Sequence, residues 1–384
     1  MTSERGSLKL DRVTVRYPGG GGVSDASVEV PPGGCLTLVG PSGGGKTTIL
    51  RAIAGLEPVQ CGAIYLGKRD LTRLPPHRRG VEWMPQGEAL LPHRTLMQQV
   101  TPRRWLGGWN RSRADELSTL AASIGVEDCW DRYPDQMSGG QRRRSAVLRS
   151  FASERPVVLL DEPLAGLNDS LSVDLAAWIF HQHRRRRSKD PASIEPTSAS
   201  SSGGPPTAIL VCATHRFDRA AQLGGPDGLV AVIDRGRMVQ IDSPEGIANE
   251  PLHLAVVQSC HGDERAVVPI ECTRAPGVTP AVAADRPAMA MAVPADGCRI
   301  VDAERGEPTG DEVWFQITAA RSIGPFRYEC SLGGGRAILV DGSNWDESQR
   351  TRVQSDVPIW LACDRASVWW FDENLERFHP HHGR

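Results

Sequence analysis

An α/β domain followed by a smaller all-β domain is the architecture this sequence predicts, and three observations carry it. Residues 35–39 (CLTLV) run into a glycine-rich loop, GPSGGGKTT, and then into residues 48–56, whose apolar side chains recur at helical spacing. Residues 157–160 (VVLL) and 207–213 (TAILVCA) are unbroken apolar runs, the pattern of strands covered on both faces of a parallel sheet. Beyond a Pro/Ala-rich stretch at about 267–287, the chain breaks into short strands with glycine turns between them.

The first element is residues 8–17 (LKLDRVTVRY), which alternate apolar and polar until Pro18 and the glycines 19–22 break them; residues 27–30 resume as a strand. This pair forms an antiparallel flank. Tyr17 closes the first strand, where an aromatic ring either stacks on a base or packs against the core.

The loop comes next. Gly40, Pro41, Ser42, Gly43, Gly44, Gly45, Lys46, Thr47 and Thr48 keep the spacing Gly, four residues, Gly-Lys-Thr. A polyanionic tail needs several backbone N–H groups pointing inward, which glycine-rich backbone permits, and the following helix adds the positive end of its dipole. Lys46 supplies a point charge for phosphates, and Thr47 a hydroxyl for Mg2+.

Residues 62–66 and 80–84 read as short strands, and Gln86 follows the second. Between 95 and 155 the pattern turns helical and charged, most clearly at 114–124. Ser138, Gly139, Gly140 and Gln141 then stand before an Arg-rich helix, 142–151. Two readings are open there: a second anion site at a helix start, or an ordinary N-cap with Arg142–Arg144 as a solvated face.

Asp161 and Glu162 follow the apolar run 157–160. Carboxylates at the carboxyl end of a central strand lie where ligands bind in open α/β sheets. Asp161 can hold Mg2+ directly or through water, and Glu162 can orient or deprotonate an attacking water. After a helix at 171–183 comes a basic, then Ser/Pro/Gly-rich segment, 184–206, which reads as a flexible insertion. Its arginines lack interleaved aromatics and suit a solvated helix end better than a nucleic-acid contact. His215 ends the next strand, placed either to pack or to contact a terminal phosphate. Strands at 229–233 and 237–241 and a helix at 244–249 follow; then strands at 312–317, 326–332, 336–340, 357–362 and 368–371 suggest a small barrel.

Composition bounds the rest. Lys and Arg number 44 against 46 Asp and Glu, so the overall balance does not call for nucleic acid. The 9 cysteines have no C-x-x-C spacing, as expected of reduced thiols in a cytosol. The start lacks an apolar signal core, and no run approaches the ~20 apolar residues of a membrane helix. The expectation is a soluble chain that serves any membrane process by docking.

In this order the motifs resemble the ATP-binding subunit of ABC transporters: Walker A at 40–48, the Q-loop glutamine Gln86, the signature at 137–141 (MSGGQ for LSGGQ), Walker B with its glutamate at 157–162, the switch histidine His215 and the A-loop aromatic Tyr17. Residues 74–79 (LPPHRR) and 90–93 (LLPH) look like the importer branch that serves ferric iron, polyamine, sulfate or thiamine uptake, and 288–372 like its TOBE domain. The resemblance implies ATP and Mg2+ as cofactors. It also implies Lys46, Glu162 and His215 as catalytic, and Thr47, Gln86 and Asp161 as metal-contacting. Ser138, Gly139, Gly140 and Gln141 would complete the site of a second copy in trans. It further implies a homodimer, membrane permease subunits, indirectly a substrate-binding protein, and a peripheral place on the cytoplasmic face of the membrane. Residues 1–255 would be the ATP-binding domain, with a helical subdomain at 90–155, residues 256–286 a linker, and 287–384 an OB-like TOBE barrel. Local likeness around 85–93 names ferric iron first and polyamine second as the solute. A non-transport ABC ATPase and a silent ATP-binding regulatory module are the rival readings. Two departures stand out: Met137 in place of the signature leucine, and Asn168 where the D-loop has its aspartate, with Asp169 next to it.

Overall fold

The computed structural model describes residues 6–87, 90–101, 111–153, 155–188 and 208–260. Beyond these it describes mainly the C-terminal strands named below. The chain divides into two compact units, Met1–Ile247 and Ala248–Arg384.

Two sheets build the first unit. One is antiparallel, with β1 (Leu8–Arg16), β2 (Gly22–Val30), β4 (Cys61–Leu66) and β5 (Arg69–Asp70) in the order β2-β1-β4-β5. The other contains β3 (Cys35–Val39), β6 (Val81–Met84), β7 (Val157–Asp161), β8 (Ile209–Thr214), β9 (Leu229–Asp234) and β10 (Arg237–Asp242), in the order β10-β9-β3-β8-β7-β6. All its pairs are parallel except the β9–β10 hairpin. Strands β3, β7 and β8 are buried at every position, which is why they read as largely apolar runs, with the polar Asp161 and Thr214 only at the carboxyl ends of β7 and β8.

The helices along this stretch are α1 (Lys46–Ala54), α2 (Leu96–Val100), α3 (Arg111–Ser123), α4 (Gly139–Ala152), α5 (Asp169–Ser188), α6 (Phe217–Gly224) and α7 (Pro244–Asn249). Two apolar cores result. One joins α1 to both sheets through Leu10, Leu38, Ile53 and Val211; the other joins α2 to α5 through Leu96, Leu117, Val147 and Ile179. Helix α5 runs beyond the expected 171–183 into the arginine run. There Arg186 donates to the carbonyls of Phe151 and, at 2.6 Å, Ser153, which caps the C-terminal end of α4. The expected insertion is thus helical to 188, and 189–206 lies outside the described residues.

The second unit opens with helix α8 (Leu254–Cys260), and its described strands pair only antiparallel. They form three sheets: β11 (Arg265–Pro269), β13 (Ala290–Pro294), β20 (Trp369–Phe371) and β21 (Arg377–Phe378); β12 (Thr273–Arg274), β15 (Glu312–Ile317), β19 (Ile359–Asp364) and β14 (Arg299–Val301); and β16 (Ala319–Ser322), β17 (Arg327–Ser331) and β18 (Ala337–Asp341). Within the stretch expected to be a linker, Arg265–Pro269 pairs with Ala290–Pro294. The eight described cysteines are all free, and no described helix is long and apolar enough to cross a membrane.

Candidate nucleotide-hydrolysis site

The site assembles at the carboxyl ends of β3, β7 and β8, which parallel register brings level: Val39 pairs with Thr214, and Asp161 with Ala213. From β3 the loop 40–45 enters α1, with Gly45 at φ 113° as the residue before the helix. The loop is braced from two sides. Gly236, in the β9–β10 turn, donates to the Gly44 carbonyl at 2.9 Å and passes its own carbonyl to Ser24 in β2. A side chain on Gly236 would meet the Gly22 carbonyl at 2.5 Å, and one on Gly45 would meet Val23 at 2.8 Å.

Lys46 is buried, and its Nζ donates to the carbonyls of Gly40 (2.7 Å) and Pro41 (2.9 Å). Burial lowers its pKa, opposed by attraction to Glu162 and Asp161. The ammonium therefore staples the loop shut and faces the acid pair.

Thr47 and Asp161 meet directly: the hydroxyl donates to Asp161 Oδ2 at 2.8 Å. Asp161 is 1 % exposed, and its other oxygen, Oδ1, has no hydrogen-bond partner among the described residues. Burial raises the carboxyl's pKa, the Thr47 hydroxyl opposes that, and Glu162 adds to it. A buried carboxylate with a spare oxygen beside a hydroxyl is a donor set that fits Mg2+, an oxygen-seeking cation that keeps part of its water.

Glu162 occupies a left-handed conformation at φ 50°, uncommon outside glycine and a form of strain that clusters at functional sites. Its N–H donates to the Ala213 carbonyl at 3.0 Å and ties the turn to β8. The carboxylate then meets His215 Nδ1 at 3.1 and 3.2 Å through its two oxygens. Glu162 is nearly buried, whereas more than half of His215 is exposed, at 10 % and 57 % of side-chain surface. The histidine thus covers the acid and faces solvent.

Tyr17 reaches the same end of α1, its hydroxyl 3.4 Å from Thr48 Oγ1. Gln86 is exposed, and its carbonyl accepts from Arg143 at 3.0 Å. Ser138 and Gln141 form a reciprocal capping box at the start of α4: Gln141 N–H donates to Ser138 Oγ at 3.2 Å, and Ser138 N–H to Gln141 Oε1 at 2.9 Å. Ser138 and Gly139 are exposed, and a side chain on Gly139 would meet open space.

Three residues make contacts that the motifs do not assign to them. Asn168 caps α5, its Oδ1 accepting from Leu171 N–H at 2.9 Å. Asp169 pairs instead with the buried Arg219 at 2.9 Å and with Arg216, next to His215, at 3.5 Å. The α5 start and the histidine loop are therefore latched together. Arg143 is partly buried rather than part of a solvated face. Helical spacing signals this, because Ala146 and Val147, three and four residues on, are both core.

Comparison with known proteins adds to this geometry. Residues 23–165 match the ABC transporter family. The sulfate/thiosulfate import ATP-binding protein CysA of Mycolicibacterium paratuberculosis is 33% identical over 333 residues, 84% of this chain and 83% of that protein. The diacetylchitobiose uptake system ATP-binding protein MsiK of Streptomyces coelicolor is 34% identical over 253 residues, 65% of this chain and 61% of that protein. A solved ATP-binding subunit of an ABC transporter superposes with a TM-score of 0.51 at 20% identity, over 63% of this chain and 92% of that one. An ATP-bound bacterial Atm1-family ABC exporter gives 0.50 at 20% identity, over 64% of this chain and 40% of that one. At such identity these two structures speak for the fold alone.

Proposed function

This chain belongs to the family of ATP-binding subunits of ABC transporters, ATPases that use ATP and Mg2+, and from that premise we propose how its residues divide the work and what it serves. The observation that carries the reading is the meeting of Thr47 with Asp161 beside the Glu162–His215 pair, at the mouth of a lysine-bearing glycine loop. Gly40 to Thr48 cradle the phosphates, and Lys46 neutralises charge on the β and γ groups. Thr47, Asp161 and Gln86 would hold Mg2+, which would supply charge neutralisation at the phosphates. Glu162 orients water for in-line attack, and His215, already in contact with it, keeps that carboxylate aimed. Tyr17 would stack on the adenine, a reading supported by its place at the end of β1 beside α1. Ser138 to Gln141 present an exposed helix start that would close over the nucleotide of a second copy, so the working form is a dimer.

Uptake of a small solute through membrane permease subunits is the process this subunit energises, supported by relatives whose names describe import. A substrate-binding protein would deliver the solute. The subunit itself would sit peripherally on the cytoplasmic face. Those relatives are named for sulfate/thiosulfate and diacetylchitobiose, so nothing in them favours ferric iron or polyamine. Sulfate or thiosulfate is the first solute to test, with ferric iron and polyamine after it. The second unit would be the regulatory barrel such importers append. The decisive experiment reconstitutes the subunit with its permease partners in vesicles and follows ATP-dependent accumulation of each labelled solute. ATP hydrolysis without accumulation of any solute would sink the importer reading and leave the ATPase standing.

A further inference from the structure

Two segments leave the carboxyl ends of the neighbouring strands β7 and β8 and touch at both of their own ends. At the near end Glu162 meets His215 Nδ1 at 3.1 and 3.2 Å. At the far end Asp169, the first residue of α5, accepts from Arg219 of α6 at 2.9 Å and stands 3.5 Å from Arg216. Between these contacts the first segment turns tightly, with the Ala165 N–H on the Glu162 carbonyl at 3.1 Å and Gly166 at φ 76°. The second is shorter still: the Arg216 N–H returns to Thr214 Oγ1 at 3.3 Å, and α6 begins at Phe217. Residues 162–169 and 215–219 therefore close a ring.

The far contact is built to hold position. Arg219 is buried, and its guanidinium is steadied from within α6 by Gln222 Oε1 at 3.0 Å and Asp218 at 3.7 Å. A planar fork held in this way reaches a carboxylate on the neighbouring helix with little further loss of side-chain freedom, so it sets the distance between the two helix starts. Asn168 does no such work, since its Oδ1 caps α5. His215 keeps 57 % of its side-chain surface exposed, so packing alone does not hold its ring over Glu162. We infer that Asp169 and Arg219 are positioning residues of the ATPase site: by joining α5 to α6 they hold the histidine loop where His215 stays on Glu162. This rests on the reading of the Glu162–His215 pair as part of the hydrolytic machinery.

Neither residue belongs to the phosphate loop or to the acids beside it, so nucleotide affinity should not register their loss. The rate should, because a reacting group displaced by about 1 Å can cost on the order of 100-fold. Taking away Asp169 leaves Arg219 with Gln222 and Asp218, so no buried charge is stranded and the fold survives the change.

The test measures steady-state ATP hydrolysis by the full chain at saturating Mg2+, at protein concentrations where the specific rate has levelled off. Asp169→Ala should lower kcat about tenfold or more and leave the KM for ATP within about twofold of wild type. Arg219→Met, which keeps the apolar stem, should do the same, and it carries the test if the alanine variant melts without cooperativity. The discriminating measurement repeats each change in a His215→Ala background. If the pair acts through the histidine, Asp169→Ala should slow that background by less than about twofold. A full tenfold fall there, or a raised KM with kcat unchanged, overturns the inference. His215→Ala by itself separates the two failures. If it hydrolyses ATP at the wild-type rate, the reading of the Glu162–His215 pair falls and takes this inference with it; if it is slow while Asp169→Ala and Arg219→Met match wild type, only the role of Asp169 and Arg219 falls.

Discussion

Arg79 occupies the space that a side chain on Gly55 would need: a Cβ there would come within 2.4 Å of the Arg79 Nε. From that position the guanidinium, on a residue 2 % exposed, donates to the carbonyls of Ala52 (2.7 Å) and Ile53 (3.1 Å) at the end of α1, and to those of Leu74 and Thr72. One side chain thus takes two of the orphan carbonyls of the helix that starts at the phosphate loop, beside the backbone cap that Gly55 and Leu56 give Ala52 and Arg51. Gly55 lies at φ 80°, so Gly55→Ala meets both a backbone penalty and the displaced arginine. Loss of about 2–3 kcal/mol is expected for Gly55→Ala or Arg79→Ala, read as a Tm lower by roughly 5–10 °C. A Tm within a degree of wild type for Arg79→Ala would mean water replaces the cap without cost.

Lys46→Ala removes the cation at the loop and the staple to Gly40 and Pro41 together. Phosphate release should fall at least about 100-fold, as when a charge is deleted from a site of developing negative charge. Turnover near the wild-type rate would take Lys46 out of the mechanism.

Glu162→Gln keeps the shape of the acid and loses its negative charge, so nucleotide should bind while hydrolysis slows strongly. With ATP and Mg2+, size-exclusion chromatography should show a dimer, and adding Ser138→Arg should restore the monomer by filling the exposed helix start. A monomer for Glu162→Gln at every ATP concentration, with the permease subunits present as well as without them, would count against a site shared between copies.

Asp161 sets a pH dependence whose sign follows from its raised pKa, caused first by burial. Between the ordinary carboxylate value and the raised one, the folded state holds more protons than the unfolded state, so this group's contribution to stability falls as pH rises. Asp161→Asn cancels that contribution. In the absence of Mg2+ and nucleotide, the variant should melt above wild type at pH 7, and the gap should close as pH falls through the raised pKa. Wild type should gain Tm on addition of Mg2+ with ATP, and the variant should gain much less. A variant that melts below wild type at pH 7 would show that the Thr47 hydrogen bond outweighs the buried charge.

How much of this was legible beforehand depends on length and pattern. Strands 35–39 and 157–160 could be read because both faces are covered, leaving Thr37 as the one polar residue among them. The start of β2 was hidden: Gly22 closes a glycine run that reads as a turn, and Asp25, at φ 56°, breaks the alternation. Helix α6 was missed because eight residues give its period too little room, and one of its inward residues is Arg219. In the site, groups contiguous in the chain, such as Gly40 to Thr48 or Asp161 with Glu162, were legible as patterns. Contacts between motifs were not, since Asp169 with Arg219 and Arg143 with Gln86 join positions 50 and 57 residues apart.

The brace of Gly22, Gly45 and Gly236 limits how far the phosphate loop can be treated as a transplantable part. Its shape is held by two hairpins whose atoms, the Val23 side chain at Gly45 and the Gly22 carbonyl at Gly236, stand too close for a Cβ, and Gly45 also lies at φ 113°. Grafting residues 40–48 alone onto another strand–helix junction would carry the letters of the loop without its mould. A library randomising Gly236 should therefore lose ATP binding as readily as one randomising Gly45.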